Sequence, residues 1–151
     1  MACLIRNATY ADAPAISRMI INTLRKSNAQ DYSSEIIDQV TQSFSPQAIL
    51  RFLSERQVLV AIVDSHLIAT ASLDQDVVRS VFVDPGYQGK GIGRHLMERI
   101  QSIAVNAGLN RLRVPSSITA EGFYASLGFI KIQDEFHGAE RTIIMAKTLA
   151  L

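Results

Sequence analysis

Three glycines at alternate positions, Gly89, Gly91 and Gly93, stand between a β-branched run and a helically spaced one, with Lys90 and Arg94 beside them. That placement suits an anion. The first turn of a helix has amide N–H groups without intrahelical partners, and the helix dipole adds partial positive charge there. Glycines remove the Cβ atoms that would hold a phosphate away from those amides. The two cations add charge close by, although the same glycines would also serve a plain strand-to-helix turn. A second set of reactive residue types follows at Ser117, Glu121 and Tyr124. Tyrosine titrates near about 10, so at neutral pH it keeps a proton to donate. The single cysteine, Cys3, has no base beside it in sequence and makes a poor acyl-carrying nucleophile. His66, His95 and His137 lack close partner ligands, so no metal is expected.

Spacing decides among the phosphate ligands. A Walker loop places Ser or Thr after Gly-Lys, but here Gly91 follows Lys90. The dinucleotide fingerprint needs a glycine three places after its second; counted from Gly89 and Gly91, that place holds Arg94. What remains is Gln88-x-x-Gly91-x-Gly93, preceded by Val81-Phe82-Val83-Asp84-Pro85 and Tyr87. This run resembles the coenzyme-binding signature of the GNAT superfamily, the acyl-coenzyme A dependent N-acyltransferases. The resemblance implies that the loop of Gln88, Gly89, Lys90, Gly91, Ile92, Gly93 and Arg94 holds the coenzyme A pyrophosphate. It also implies that Val81, Phe82 and Val83 pair with the pantetheine arm, and Ser117 is placed with the coenzyme-binding residues.

Downstream, Phe123-Tyr124-x-x-Leu127-Gly128-Phe129 resembles the second GNAT signature, and Ile144-Met145-Ala146-Lys147-Thr148-Leu149 resembles a tail frequent in that family. By that likeness Tyr124 protonates the departing thiolate, and a backbone N–H near Val83 holds the acetyl carbonyl. The donor would be acetyl-CoA, and the acceptor a primary amine of a small molecule, peptide or protein that attacks directly. The alternative is a sensor or structural domain that binds an acyl-CoA without turnover. Family members often place a carboxylate base at the start of the strand before the glycine loop, or on the strand after the long helix. Those positions hold Val77 and Leu112. Asp74, Asp76, Glu121 and His137 qualify by proximity only, and a water chain would also serve, so no base is assigned. Dimers are frequent in the family, and a homodimer is compatible with the likeness.

These residues need a scaffold. Residues 3–8 could form an opening strand, and Asp12 with Pro14 is a helix start, followed by a stripe of Ile16, Met19, Ile20 and Leu24. Ile36, Ile37 and Val40 indicate a second helix, and Ser45-Pro46 caps a third that carries Ile49, Leu50 and Leu53. Tyr32 and Phe44 are weak candidates for substrate contact. Val58 to Val63 and Leu67 to Leu73 read as a hairpin with Asp64-Ser65-His66 as its turn, and Asp74-Gln75-Asp76 turns into a strand over Val77 to Val83. Asp84-Pro85-Gly86 stops that strand. Ile92, Leu96, Ile100 and Ile103 then mark a long helix, ended at Gly108. Arg111 to Val114 is a short strand ended by Pro115. Ser117 caps a helix whose Gly122 is expected to mark a close approach, since glycine there costs about 1 kcal/mol against alanine. Phe129 to Ile132 and Arg141 to Met145 close the chain as strands. With the resemblance, the expected fold is α+β in three α/β/α layers: a mixed, mostly antiparallel twisted sheet of about seven strands flanked by helices, as a single domain over residues 1–151.

The bulk properties fit that class. The 151 residues are 48% hydrophobic and 19% charged, enough to bury a core. A formal charge of +1 without a Lys/Arg-rich run argues against nucleic acid as a partner. No run approaches the roughly 20 apolar residues of a membrane span, and no secretory leader is evident, so the expected setting is cytoplasmic and away from membranes.

Overall fold

The run Gln57–Val63 extends into a strand and turns back through Asp64 and Ser65. Both turn residues have positive φ, 49° and 65°, the requirement of a two-residue type I′ hairpin whose twist matches its strands. His66 is therefore the first residue of the next strand rather than the turn's tip, and Asp74 likewise ends a strand, leaving Gln75-Asp76 as the turn.

A computed structural model describes residues 2–149. In chain order the elements are β1 (Leu4–Asn7), α1 (Ala13–Lys26), α2 (Ser34–Thr41), α3 (Pro46–Glu55), β2 (Gln57–Val63), β3 (His66–Asp74) and β4 (Val77–Val83), then α4 (Ile92–Asn106), β5 (Arg111–Ser116), α5 (Glu121–Ser126), β6 (Ile130–His137) and β7 (Glu140–Thr148). The strands form one sheet in the order β1-β2-β3-β4-β5-β7-β6. Every neighbouring pair is antiparallel except β4 and β5. On one face lie Ile16, Met19, Ile20 and Leu24 of α1 with Ile49 of α3, packed with Val60. On the other, Leu96, Ile100 and Ala104 of α4 pack with Ala61, Ala69, Ala71 and Leu112. Residues 68–73 of β3 are consequently buried on both faces, and the alternation in that stretch does not sort inside from outside.

Local chemistry explains most boundaries. Ser33 and Ser45 accept N–H bonds from Ile36 and Ala48 and start α2 and α3. Gly108, at φ 84°, closes α4 in a Schellman motif: Leu109 N–H bonds to Ala104 O and Gly108 N–H to Val105 O, each at 3.0 Å. Asp12 departs from its expected role. It stands before α1 but gives that helix no side-chain cap; its carboxylate accepts the Thr9 amide at 2.7 Å and two bonds from Arg6 at 2.8 and 3.0 Å. The Arg6 guanidinium holds that carboxyl below its ordinary range. The closing strands are longer than expected, because β6 and β7 pair from Ile130↔Ala146 to His137↔Glu140.

Candidate functional site

The site begins where the sheet parts. Between β4 and β5 the register holds a single pair, Val77↔Arg113, after which the strands diverge. β5 runs on through Pro115 to Ser116, beyond its expected end. Amides alternate in direction along a strand, and Arg113 N–H bonds toward β4, to Asp76 O at 2.9 Å. Position 115 has the same parity, so the N–H that proline lacks would face the cleft, and no ladder bond is lost. Across the cleft, β4 carries a bulge: Ser72 pairs with Arg79 and Thr70 with Phe82, so Ser80 and Val81 oppose Ala71 alone. Ser80 has φ 54°, costly for a residue with a Cβ. Two bonds brace the kink, from Ser72 Oγ to Arg79 O at 2.6 Å and from Arg56 Nη1 to Ser80 Oγ at 3.2 Å. Arg56 lies over the Phe52 ring at 3.8 Å with its Nε buried and unpartnered among the described residues, and burial pushes its pKa down.

Asp84 N–H bonds to Ile68 O at 2.7 Å, so the Val83 amide, one residue earlier, points away from β3 toward the cleft. A 3-10 turn over Pro85–Tyr87 leads into the glycine loop. The glycines serve different ends. Gly89 and Gly91 have φ 76° and 83°, and a Cβ at either would meet nothing within 4 Å, so the backbone lies bare toward open space. Gly93 is a packing glycine: a Cβ there would come within 3.2 Å of the Phe123 ring. The close approach expected at Gly122 is absent, with nothing within 4 Å of a Cβ there. The first helical bond of α4 is His95 N–H to Gly91 O at 3.1 Å, which leaves the preceding amides without partners inside the helix. Gln88 acts as a strut, its Nε2 donating to Val83 O at 2.9 Å and to Ser27 Oγ at 3.1 Å.

Tyr124 is 4% exposed, its ring set edge-on between Phe123 at 5.2 Å and Phe129 at 5.6 Å. Burial alone raises its pKa well above the ordinary tyrosine value, so the phenol stays protonated. Ser117 accepts the Ala120 N–H at 3.1 Å and shapes the turn before α5, while Ala120 holds the N-cap position itself. Tyr32 is a staple between distant segments: its hydroxyl donates to Arg141 O at 3.0 Å and accepts from Ile118 N–H at 2.7 Å.

These elements line one cavity of about 630 Å³, within the usual range for small-ligand sites, roughly 300–1,000 Å³. Val81, Phe82, Val83, Gln88, Gly89, Gly91, Ile92, Gly93, Arg94, Ser117 and Tyr124 all line it; Lys90 does not. Tyr32 and Phe44 line it too. The proximity candidates for a base stand outside. Asp76 is engaged by Arg113 at 3.1 and 3.3 Å, which lowers its pKa. Asp74 faces Arg79 at 3.6 Å. Neither Glu121 nor His137 lines the wall, and Val77 and Leu112 carry no titratable group. Glu140 does line it. Nothing in the sequence separates Glu140 from other hairpin carboxylates; only the β6–β7 register places it there. Among the described residues no group of three His, Cys, Asp or Glu side chains is arranged to hold a metal, and no helix is long and apolar enough to cross a membrane.

Residues 28–149 match the family described as "Acetyltransferase (GNAT) domain". The fold is similar to that of a GCN5-related N-acetyltransferase from Rhodopseudomonas palustris, at a TM-score of 0.93 and 22% identity, covering 99% of this chain and 97% of that one. It is similar also to the PaiA N-acetyltransferase from Thermoplasma acidophilum in complex with coenzyme A, at 0.82 and 21%, covering 98% and 99%. An aminoglycoside 6′-N-acetyltransferase complexed with coenzyme A aligns at 0.66 and 14%, covering 98% of each chain.

Proposed function

The chain belongs to the acetyltransferase (GNAT) family, and on that premise we propose that it is an N-acetyltransferase moving an acetyl group from acetyl-CoA to a primary amine by direct attack, within one domain spanning residues 1–151. One observation carries the proposal: the Cβ-free loop at the start of α4 and the protonated hydroxyl-bearing ring of Tyr124 line the same cavity. The loop fits a pyrophosphate, because Gly89 and Gly91 leave open space over amides that the helix does not use. Two of the similar structures are complexes with coenzyme A, which supports this assignment. Bound acetyl-CoA supplies the activated thioester. Gln88, Gly89, Gly91, Ile92, Gly93 and Arg94 hold its phosphates, with Arg94 adding charge, and the free edge of β4 offers backbone groups to an extended arm as an added strand would. The cleft-facing Val83 amide donates to the acetyl carbonyl. Tyr124 donates to the departing sulfur; its raised pKa means that ionisation of this phenol does not set the alkaline limit of activity near its ordinary value.

The test is thermal stability with acetyl-CoA, CoA, ATP and NAD, followed by a free-thiol assay against a panel of amines. Stabilisation by both CoA forms, but not by ATP or NAD, is expected. Stabilisation by neither CoA form would remove the coenzyme site. Stabilisation without thiol release from any amine would favour a sensor.

A further inference from the structure

Only two charged residues line the cavity among the described residues: Arg94, in the first turn of α4, and Glu140, the first residue of β7. They mark different ends. β4 and β5 run parallel, so their C-terminal ends lie on the same side of the sheet. Arg94 follows β4 through the glycine loop. Glu140 is three residues before Ile143, which pairs with Ser116 at the end of β5, and so lies beyond β5 on the other flank of the cleft. Glu140 and Thr142, two apart on one strand face, both reach the wall.

Two other carboxylates are occupied. Asp134 is held by Lys131 and Arg141, each at 3.1 Å, and Asp31 accepts the Thr119 hydroxyl at 2.8 Å. No ion pair or side-chain hydrogen bond engages Glu140 among the described residues. Its wall also holds Tyr32, Ile37, Val40, Phe44, Thr119 and Thr142, and a bound cation would give the carboxylate a charge-assisted partner.

We infer that the acceptor arrives as an ammonium ion on an apolar stem, and that Glu140 is the carboxylate that receives it. This rests on the acetyltransferase proposal above. At neutral pH an alkylamine, near about 10.4, is protonated. The ammonium must shed a proton before its nitrogen can attack. Its N–H bond breaks, the proton passes to a Glu140 oxygen, and the electron pair stays on nitrogen. Glu140 is thus the base that proximity in sequence did not reveal.

The experiment titrates hexylamine and the neutral isostere hexan-1-ol into the wild-type protein, with and without saturating coenzyme A, and into Glu140→Gln and Glu140→Asp. Melting temperature checks that each variant folds. The wild type should prefer hexylamine by at least tenfold, the scale of one charge-assisted hydrogen bond. Glu140→Gln should lose that preference while its affinity for hexan-1-ol changes less than about twofold, and Glu140→Asp should retain part of it. In turnover, Glu140→Gln should lower kcat/KM for amines by at least about tenfold, with the KM for acetyl-CoA unchanged. Equal weakening of amine and alcohol, or no weakening of either, would overturn the assignment. Failure of acetyl-CoA to stabilise the wild type is a separate result, and would sink the acetyltransferase proposal while the hexylamine preference still reports on Glu140.

Discussion

At the scale of single residues, Tyr124 and the glycines separate chemistry from architecture. Tyr124→Phe removes one hydroxyl and leaves the ring stack on Phe123 and Phe129 in place. Acetyl-CoA affinity should stay within about twofold, while kcat falls by about 10²-fold, the lower end for a positioned proton donor. Free-thiol kinetics with a parallel binding titration check this, and unchanged kcat removes Tyr124 from the mechanism. The same phenol sets a stability trend. Its folded pKa lies above its unfolded one, so its contribution is fully present below about pH 10 and is lost as pH rises toward the folded value. Tyr124→Phe should therefore melt with a shallower decline above about pH 10. The glycines divide in the same way. Gly91→Ala, at φ 83°, should cost about 1–2 kcal/mol and weaken coenzyme binding. Gly122→Ala, with nothing to collide with inside α5, should stabilise by up to about 1 kcal/mol and leave binding unchanged. Denaturant melts of both variants decide it.

Among the elements, β4 does most to shape the site, and it does so by being irregular. Its bulge turns Ser80 and Val81 out of the ladder, and its divergence from β5 leaves an edge for ligand. The brace on that bulge comes from the opposite layer, through Arg56 just after α3. Arg56 is an expensive brace, since its Nε is buried without a partner among the described residues. Arg56→Met keeps the packing on Phe52 and removes the charge. Stability should change by less than about 1 kcal/mol, because an apolar side chain of similar volume often replaces a poorly compensated buried charge without loss. Turnover should nonetheless fall several-fold as Ser80 loses its hold. A large melting loss with full activity would show that Arg56 serves the core instead.

For the whole molecule, the three-layer arrangement turns a ligand into a clamp. The cavity draws residues from α1 and its following segment, β4, α4, β5, α5 and β7, so a coenzyme filling it would tie both halves of the divided sheet together. Acetyl-CoA at about 100 times its dissociation constant should stabilise by about 2.7 kcal/mol. In a chain of this length that raises Tm by roughly 5–10 °C. A differential scan with and without ligand measures it. A shift under about 1 °C at saturation would mean that the cleft does not close on the coenzyme.

What was legible in the residues themselves was local. The order of elements and the glycine loop follow from periodicity, turn chemistry and spacing, all of which act over a few residues, and the Tyr124 position was marked by the resemblance of its motif to the second GNAT signature. The helix cap at Ser45 and the stop at Gly108 belong to the same class, because each is a bond to a near neighbour. The tertiary structure decided what depends on long loops closing. Tyr32 meets Arg141 and Ile118 across 109 and 86 residues. Gly93, rather than Gly122, makes room for Phe123. Pro115 sits inside a strand because its neighbour has turned away. Glu140 reaches the cavity through a hairpin register, while Asp74 and Asp76, nearer to the motif in sequence, are drawn off by arginines. Local propensity carries no information about which distant surface a side chain will meet. That is settled only when the sheet and its two helical layers pack, and the Glu140 flank of this cleft is built almost wholly from such meetings.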